Sequence, residues 1–126
     1  AVLAEHKASG QKMVVVDSGK KKVLTTDDIK ASDAEDRIKA AINKIKYQSA
    51  AIEEFHVTER GTMKSYGQEV PYVRFRAKLK KLPIGEIGGV ISVVKDENGN
   101  DKILVSANEK DKYSQLITNE FFKAVK

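Results

Sequence analysis

From Tyr72 to Lys80 the chain alternates without interruption. Val73, Phe75, Ala77 and Leu79 are apolar, while Tyr72, Arg74, Arg76, Lys78 and Lys80 carry a hydroxyl or a charge. A period of two places the first set on one face of a β-strand and the second on the other. Such a strand belongs to a sheet with one face turned to a core, and that face needs another element to cover it. The segment therefore restricts the chain to folds in which a sheet carries a layer on at least one side.

The surrounding sequence supplies the rest of that sheet. Phe55 and Val57 alternate with Glu54, His56 and Thr58 in a first strand, and 61–71, which contains Tyr66-Gly67, reads as a loop leading to the second. Pro83-Ile84-Gly85 closes the second strand, and Ile87 to Val94 forms a third. Asp96-Glu97-Asn98-Gly99-Asn100 is a turn whose Asn-Gly step tolerates positive φ, and Ile103, Val105 and Ala107 give a fourth strand its inward side. Upstream, Met13-Val14-Val15-Val16 is a short β-branched run closed by Asp17-Ser18-Gly19, read as a small hairpin with Val23-Leu24. Gly85, Gly88 and Gly89 mark either a bulge or a close approach of another backbone.

Two segments have helical spacing instead. Ser32 and Glu35 form a capping box, and Ala34, Ile38, Ala41, Ile42 and Ile45 fall on one face, which predicts a helix over about 33–48. Asp33, Glu35 and Asp36 near its start and Lys44 and Lys46 near its end agree with the helix dipole. From about Lys112, Tyr113, Leu116, Ile117, Phe121 and Val125 form an apolar stripe that predicts a C-terminal helix. The expected fold class is α+β: one helix packed on a four-stranded antiparallel meander, with a small N-terminal hairpin and a C-terminal helix. Residues 1–11, AVLAEHKASGQ, read as an arm, and 12–126 as a single domain. A helix placed before a curved sheet resembles the cystatin-like and NTF2-like arrangements in architecture. No inhibitory Gln-Val-x-Ala-Gly loop and no cluster of pocket acids accompanies it, so no function is carried over.

Composition removes several chemistries. With 126 residues the chain has the size of one domain, and with 0 Cys it has no disulfide, thiolate metal site or cysteine nucleophile. The only histidines are His6 and His56. Glu54, His56 and Glu59 lie close together on one strand, but nothing else in the sequence converges on them as a metal site or acid–base pair. Val14 to Lys20 ends in Gly-Lys without the upstream Gly or the following Ser or Thr of a phosphate loop. The acidic turn 96–101 lacks the alternating ligands of a calcium loop. No apolar run approaches the roughly 18 residues of a membrane-spanning helix, and Ala1-Val2-Leu3-Ala4 is shorter than the apolar core of a signal peptide. The expectation is a non-enzyme that uses no metal and no cofactor. Composition leaves the compartment open.

One feature reaches beyond folding. Between Tyr72 and Lys81 stand Arg74, Arg76, Lys78, Lys80 and Lys81 with no acid among them, as many cations as the whole chain's net charge of +5. Such a row has three readings. It pairs with Glu53, Glu54 and Glu59 on the neighbouring strand, it meets an anionic protein, or it follows the phosphates of a nucleic acid with Tyr72 and Tyr66 for stacking. Met13 to Val16 fits addition to the sheet of another molecule as well as pairing within the chain. The reading favoured is a protein-binding or assembly module that uses a sheet edge, the N-terminal arm and the basic strand face. Its alternative is a nucleic-acid-binding domain contacting phosphates through strand 72–81.

Overall fold

A computed structural model describes residues 2–17, 29, 38–39, 52–65, 67–79, 86–95, 98–109 and 111–124. Within them lie six strands, β1 (Val2–His6), β2 (Gln11–Asp17), β3 (Ile52–Ser65), β4 (Gln68–Leu79), β5 (Glu86–Lys95) and β6 (Asp101–Glu109), and a helix, α1 (Gln115–Ala124). All six form one antiparallel sheet in the order β1-β2-β6-β5-β4-β3. The α+β class holds, but the sheet has six strands rather than four. The meander β3 to β6 is as expected, and β2 adds to the exposed edge of β6, with Val14 opposite Val105. Ile103, Leu104 and Val105 are buried in succession, on both faces of β6, so a β6 left at the edge would expose apolar backbone and side chains together.

The N-terminal hairpin also differs from the expected one. β2 pairs on its other side with β1, through a turn at residues 7–10 in which Gly10 N–H donates to His6 O at 2.7 Å. Asn108 Nδ2 holds this turn to β6 by donating to Ser9 O at 2.9 Å. Of the segment read as an arm, residues 2–6 are thus β1. Val23 and Leu24, the expected hairpin partner, lie outside the described residues. So does most of the helix predicted over 33–48; within it, Ile38 and Lys39 are helical, and Ile38 is fully buried.

The segment 61–71 is not a loop. β3 and β4 continue through it as one long hairpin, with Met63 opposite Val70 and Ser65 opposite Gln68. Pro71 fits here because the pairing of β4 with β5 begins only at Tyr72, so the proline has a neighbouring strand on one side. An irregularity between Val57 and Glu59 shifts the register by one residue. Before it, Phe55 and Val57 share a face with Phe75 and Ala77. After it, odd-numbered Met63 lies on the opposite face, which a strict period of two does not anticipate.

The sheet is buried on both sides. One face carries Val14, Phe55, Val73, Phe75, Ile91, Val93, Ile103 and Val105, packed with Ile29 and Ile38. The other carries Met63, Val70, Val90, Val94 and Leu104, packed with Phe122 of α1. β5 lies between the two layers and is buried at seven consecutive positions, the pattern of a strand covered on both faces. Gly89 is required there. A Cβ would stand 2.5 Å from Ser106 O and 2.7 Å from the Phe75 ring, which itself stacks on Phe55 with centroids 5.2 Å apart. At the β5–β6 turn Gly99 has φ of 80°, the conformation that the Asn-Gly step predicts.

Candidate functional site

Helix α1 is fixed to the sheet by a buried polar network. Ser114 is its N-cap: its Oγ accepts from Ile117 N–H at 3.3 Å, and its carbonyl accepts the first helical bond from Thr118 N–H at 3.2 Å. Gln11, fully buried at the start of β2, accepts from Ser114 N–H at 2.9 Å through Oε1. The two hydrogens of its Nε2 have three acceptors in reach, Ser106 Oγ at 2.8 Å, Thr118 Oγ1 at 3.0 Å and Ser114 O at 3.1 Å. Thr118 Oγ1 also contacts Tyr113 Oη at 2.7 Å. Burial pushes the Tyr113 hydroxyl up to about 12, against the opposing pull of the Thr118 hydrogen bond and the Arg74 charge. By sequence Gln11 is the last residue of a polar arm, and its role depends on α1, which lies about a hundred positions away.

The network decides which side of α1 faces inward. Thr118 and Phe122 are fully buried, whereas Leu116, part of the predicted stripe, is 76% exposed. Leu116 and Ile117, with Glu120 and Phe121, border a groove of about 400 Å³ whose other walls are Glu5, His6 and Met13. The groove lies between α1 and β1, the outermost strand on its side of the sheet. Among the described residues nothing pairs with the outer edge of β1. Within the β1–β2 turn, His6 Nδ1 lies 2.8 Å from Ser9 Oγ.

The basic face of β4 lies on the α1 side of the sheet. Tyr72 is half-buried with its ring against Gly61, its register partner, and burial together with Glu59 raises its hydroxyl pKa. Arg74 stacks on the Tyr113 ring, 5.2 Å from its centroid, and lies 3.8 Å from Glu59. Arg76 Nε lies 3.2 Å from Glu86 Oε2. Lys78 is exposed, opposite Glu54 on β3 and Glu86 on β5. Acids from both neighbouring strands therefore face the cations, and the row is not one-signed in three dimensions. Each of these half-exposed pairs contributes about 0–1 kcal/mol. Lys80 and Lys81 lie outside the described residues. A pocket of about 340 Å³ opens over this face, lined by Thr58, Glu59, Arg74, Phe75, Arg76, Gly88 and Tyr113.

Met13 and Val14 are buried on opposite faces of β2, Val15 is half-buried, and Val16 pairs with Ile103. Both edges of this segment are hydrogen-bonded within the chain, to β1 and to β6. His56 is exposed opposite Arg76 and does not line the pocket. Among the described residues no three His, Cys, Asp or Glu side chains converge as a metal site would require, and no helix is long and apolar enough to cross a membrane. Compared with known proteins, the chain matches no family model, no curated protein and no solved structure.

Proposed function

We propose that the chain is a non-enzymatic protein-binding or assembly module that takes its partner along the outer edge of β1 and the groove between β1 and α1. The observation that carries this reading is Leu116, a large apolar side chain 76% exposed at the rim of an apolar groove beside an outermost strand. A strand edge offers main-chain donors and acceptors to an incoming segment, and an adjacent apolar groove takes its side chains. Covering such surface yields roughly 25 cal/mol per Å² removed from water. The sheet-edge part of the expectation thus moves from Met13–Val16, whose edges are already paired, to β1 within the former arm. The basic face of β4 flanks the same side of the sheet and serves as a secondary contact.

Light scattering on the purified chain over a hundredfold concentration range, together with selection from a displayed library of random peptides, tests this reading with Leu116→Asp as the control. Expected is a concentration-dependent dimer, or an enriched peptide family, weakened about tenfold or more in the variant. A strictly monomeric chain that selects no peptide dependent on Leu116 would sink the proposal. The nucleic-acid alternative is less supported, because Glu59 and Glu86 face Arg74 and Arg76. Binding that falls steeply with salt and weakens on replacing Arg74, Arg76 or Lys78 would restore it. Element order is all that links the chain to the cystatin-like and NTF2-like arrangements, and no function is borrowed from them.

A further inference from the structure

We infer that the pocket beside Tyr113 on β4 is a binding site for a single oxyanion, a carboxylate or a phosphate group, distinct from the β1 groove and independent of it. Arg74 and Arg76 alternate on β4, so both guanidinium groups emerge on one face about 7 Å apart. Both border the same pocket, with the Thr58 side chain and the bare backbone of Gly88 between strands β3 and β5.

The donors are positioned in advance. Tyr113 is held through its hydroxyl by Thr118, itself bonded to Gln11 and Ser106, so the ring against which Arg74 stacks is set by the buried network. This cation–π contact, with Cζ 5.2 Å from the ring centroid, uses no N–H hydrogen bond and leaves the Arg74 donors for oxygen. Neither arginine is saturated by its acid. Glu59 stands 3.8 Å from Arg74, beyond hydrogen-bond length. Arg76 Nε is buried and makes no hydrogen bond, its 3.2 Å contact with Glu86 Oε2 lacking the necessary alignment. Glu86 meets Arg76 at Nε alone, and the terminal N–H groups of the half-exposed fork remain for an incoming oxygen. The volume exceeds that of an isolated phosphate, which leaves space for the body of a small ligand against Tyr113. Glu59 plays a defined part: it lines the pocket beside Arg74 and competes with the ligand.

Titration of the full chain with inorganic phosphate and, separately, with acetate at pH 7 and low ionic strength tests the site, read by the side-chain N–H resonances of Arg74 and Arg76 and the ring resonances of Tyr113. Expected are saturable shifts with half-saturation at millimolar concentration. Affinity should fall at least tenfold in Arg76→Gln and in Arg76→Lys, which keeps the charge but not the planar fork. It should rise severalfold in Glu59→Gln, a gain that a purely structural ion pair does not produce. Saturation by phosphate at the lower concentration assigns a phosphate group, and by acetate a carboxylate. Non-saturating shifts spread over the surface cations, or a Glu59→Gln variant that binds no better than the native chain, would overturn the site. Circular dichroism on each variant separates loss of binding from loss of fold.

Discussion

At the residue scale, the side chains with most effect are polar ones in buried places. Gln11 bonds to β6 and to both the backbone and a side chain at the start of α1, so its removal leaves Ser114 N–H, Ser106 and Thr118 short of partners in a dry environment. Unsatisfied buried groups cost about 1–3 kcal/mol each, and networks lose more than single bonds. Gln11→Ala is expected to lower stability by about 3 kcal/mol in urea unfolding with an unchanged slope; a loss below about 0.5 kcal/mol would deny the network its role. Tyr113 adds a pH dependence. Its hydroxyl titrates near 12 in the folded chain and near 10 when unfolded. Between those values the folded state keeps a proton that the unfolded state has lost. The contribution is therefore fully present below pH 10 and disappears as pH rises from about 10 to about 12. Stability measured across that window should fall less steeply in Tyr113→Phe than in the native chain.

At the element scale, α1 shows how a helix with two apolar sides selects one. Its sequence offers Leu116, Ile117 and Phe121 on one side and Phe122 beside it, and hydrophobicity alone favours the first set. The inward turn of Thr118, bonded to Gln11 and Ser106, brings Phe122 into the core four residues later and leaves Leu116 outside. Phe122→Ala should cost about 3–5 kcal/mol, while Leu116→Ala should change stability by less than about 0.5 kcal/mol. Thermal unfolding of the two variants checks the contrast, and equal losses would show that the helix sits in a different rotation. The β3–β4 hairpin makes a related point. Its two strands are legible around Phe55 and from Tyr72 onward, but Gly61, Gly67 and Pro71 punctuate 61–71 and predict a loop there. Long-range packing of Met63 and Val70 under α1 outweighs those local signals.

At the scale of the whole molecule, the closing of the sheet depends on contacts distant in sequence. β2 pairs with β6 with Val14 opposite Val105, roughly ninety residues along the chain, so the N-terminal hairpin joins the β3–β6 meander only after a long loop closes. Such topologies fold in milliseconds to seconds, and stopped-flow refolding should show a main phase in that range rather than in microseconds. Replacing Val14 by Ala should mainly accelerate unfolding if this pairing forms after the transition state, and slow refolding if it belongs to the nucleus. The assembled meander also alters the electrostatics. The cations that stand in an unbroken row along β4 are separated from one another by carboxylates brought in from β3 and β5.

What the sequence by itself determined is local and periodic. The alternation of β4, the strand from Ile87 to Val94, the turn at Gly99 and the existence of a C-terminal helix follow from side-chain spacing and backbone preference, which act over a few residues. The Arg74 and Arg76 pair could be read there too, since alternate residues of a strand share a face. Pairing of Glu59 with the basic row was one of the readings the sequence offered, whereas only the tertiary structure decided that Gln11 would be buried, that Leu116 would face outward beside β1, that Glu86 would stand against Arg76, and that Tyr113 would lie under Arg74. Each of these depends on which residues meet across tens of positions, and pairings at that distance are selected by the packing of the whole sheet rather than by any local pattern.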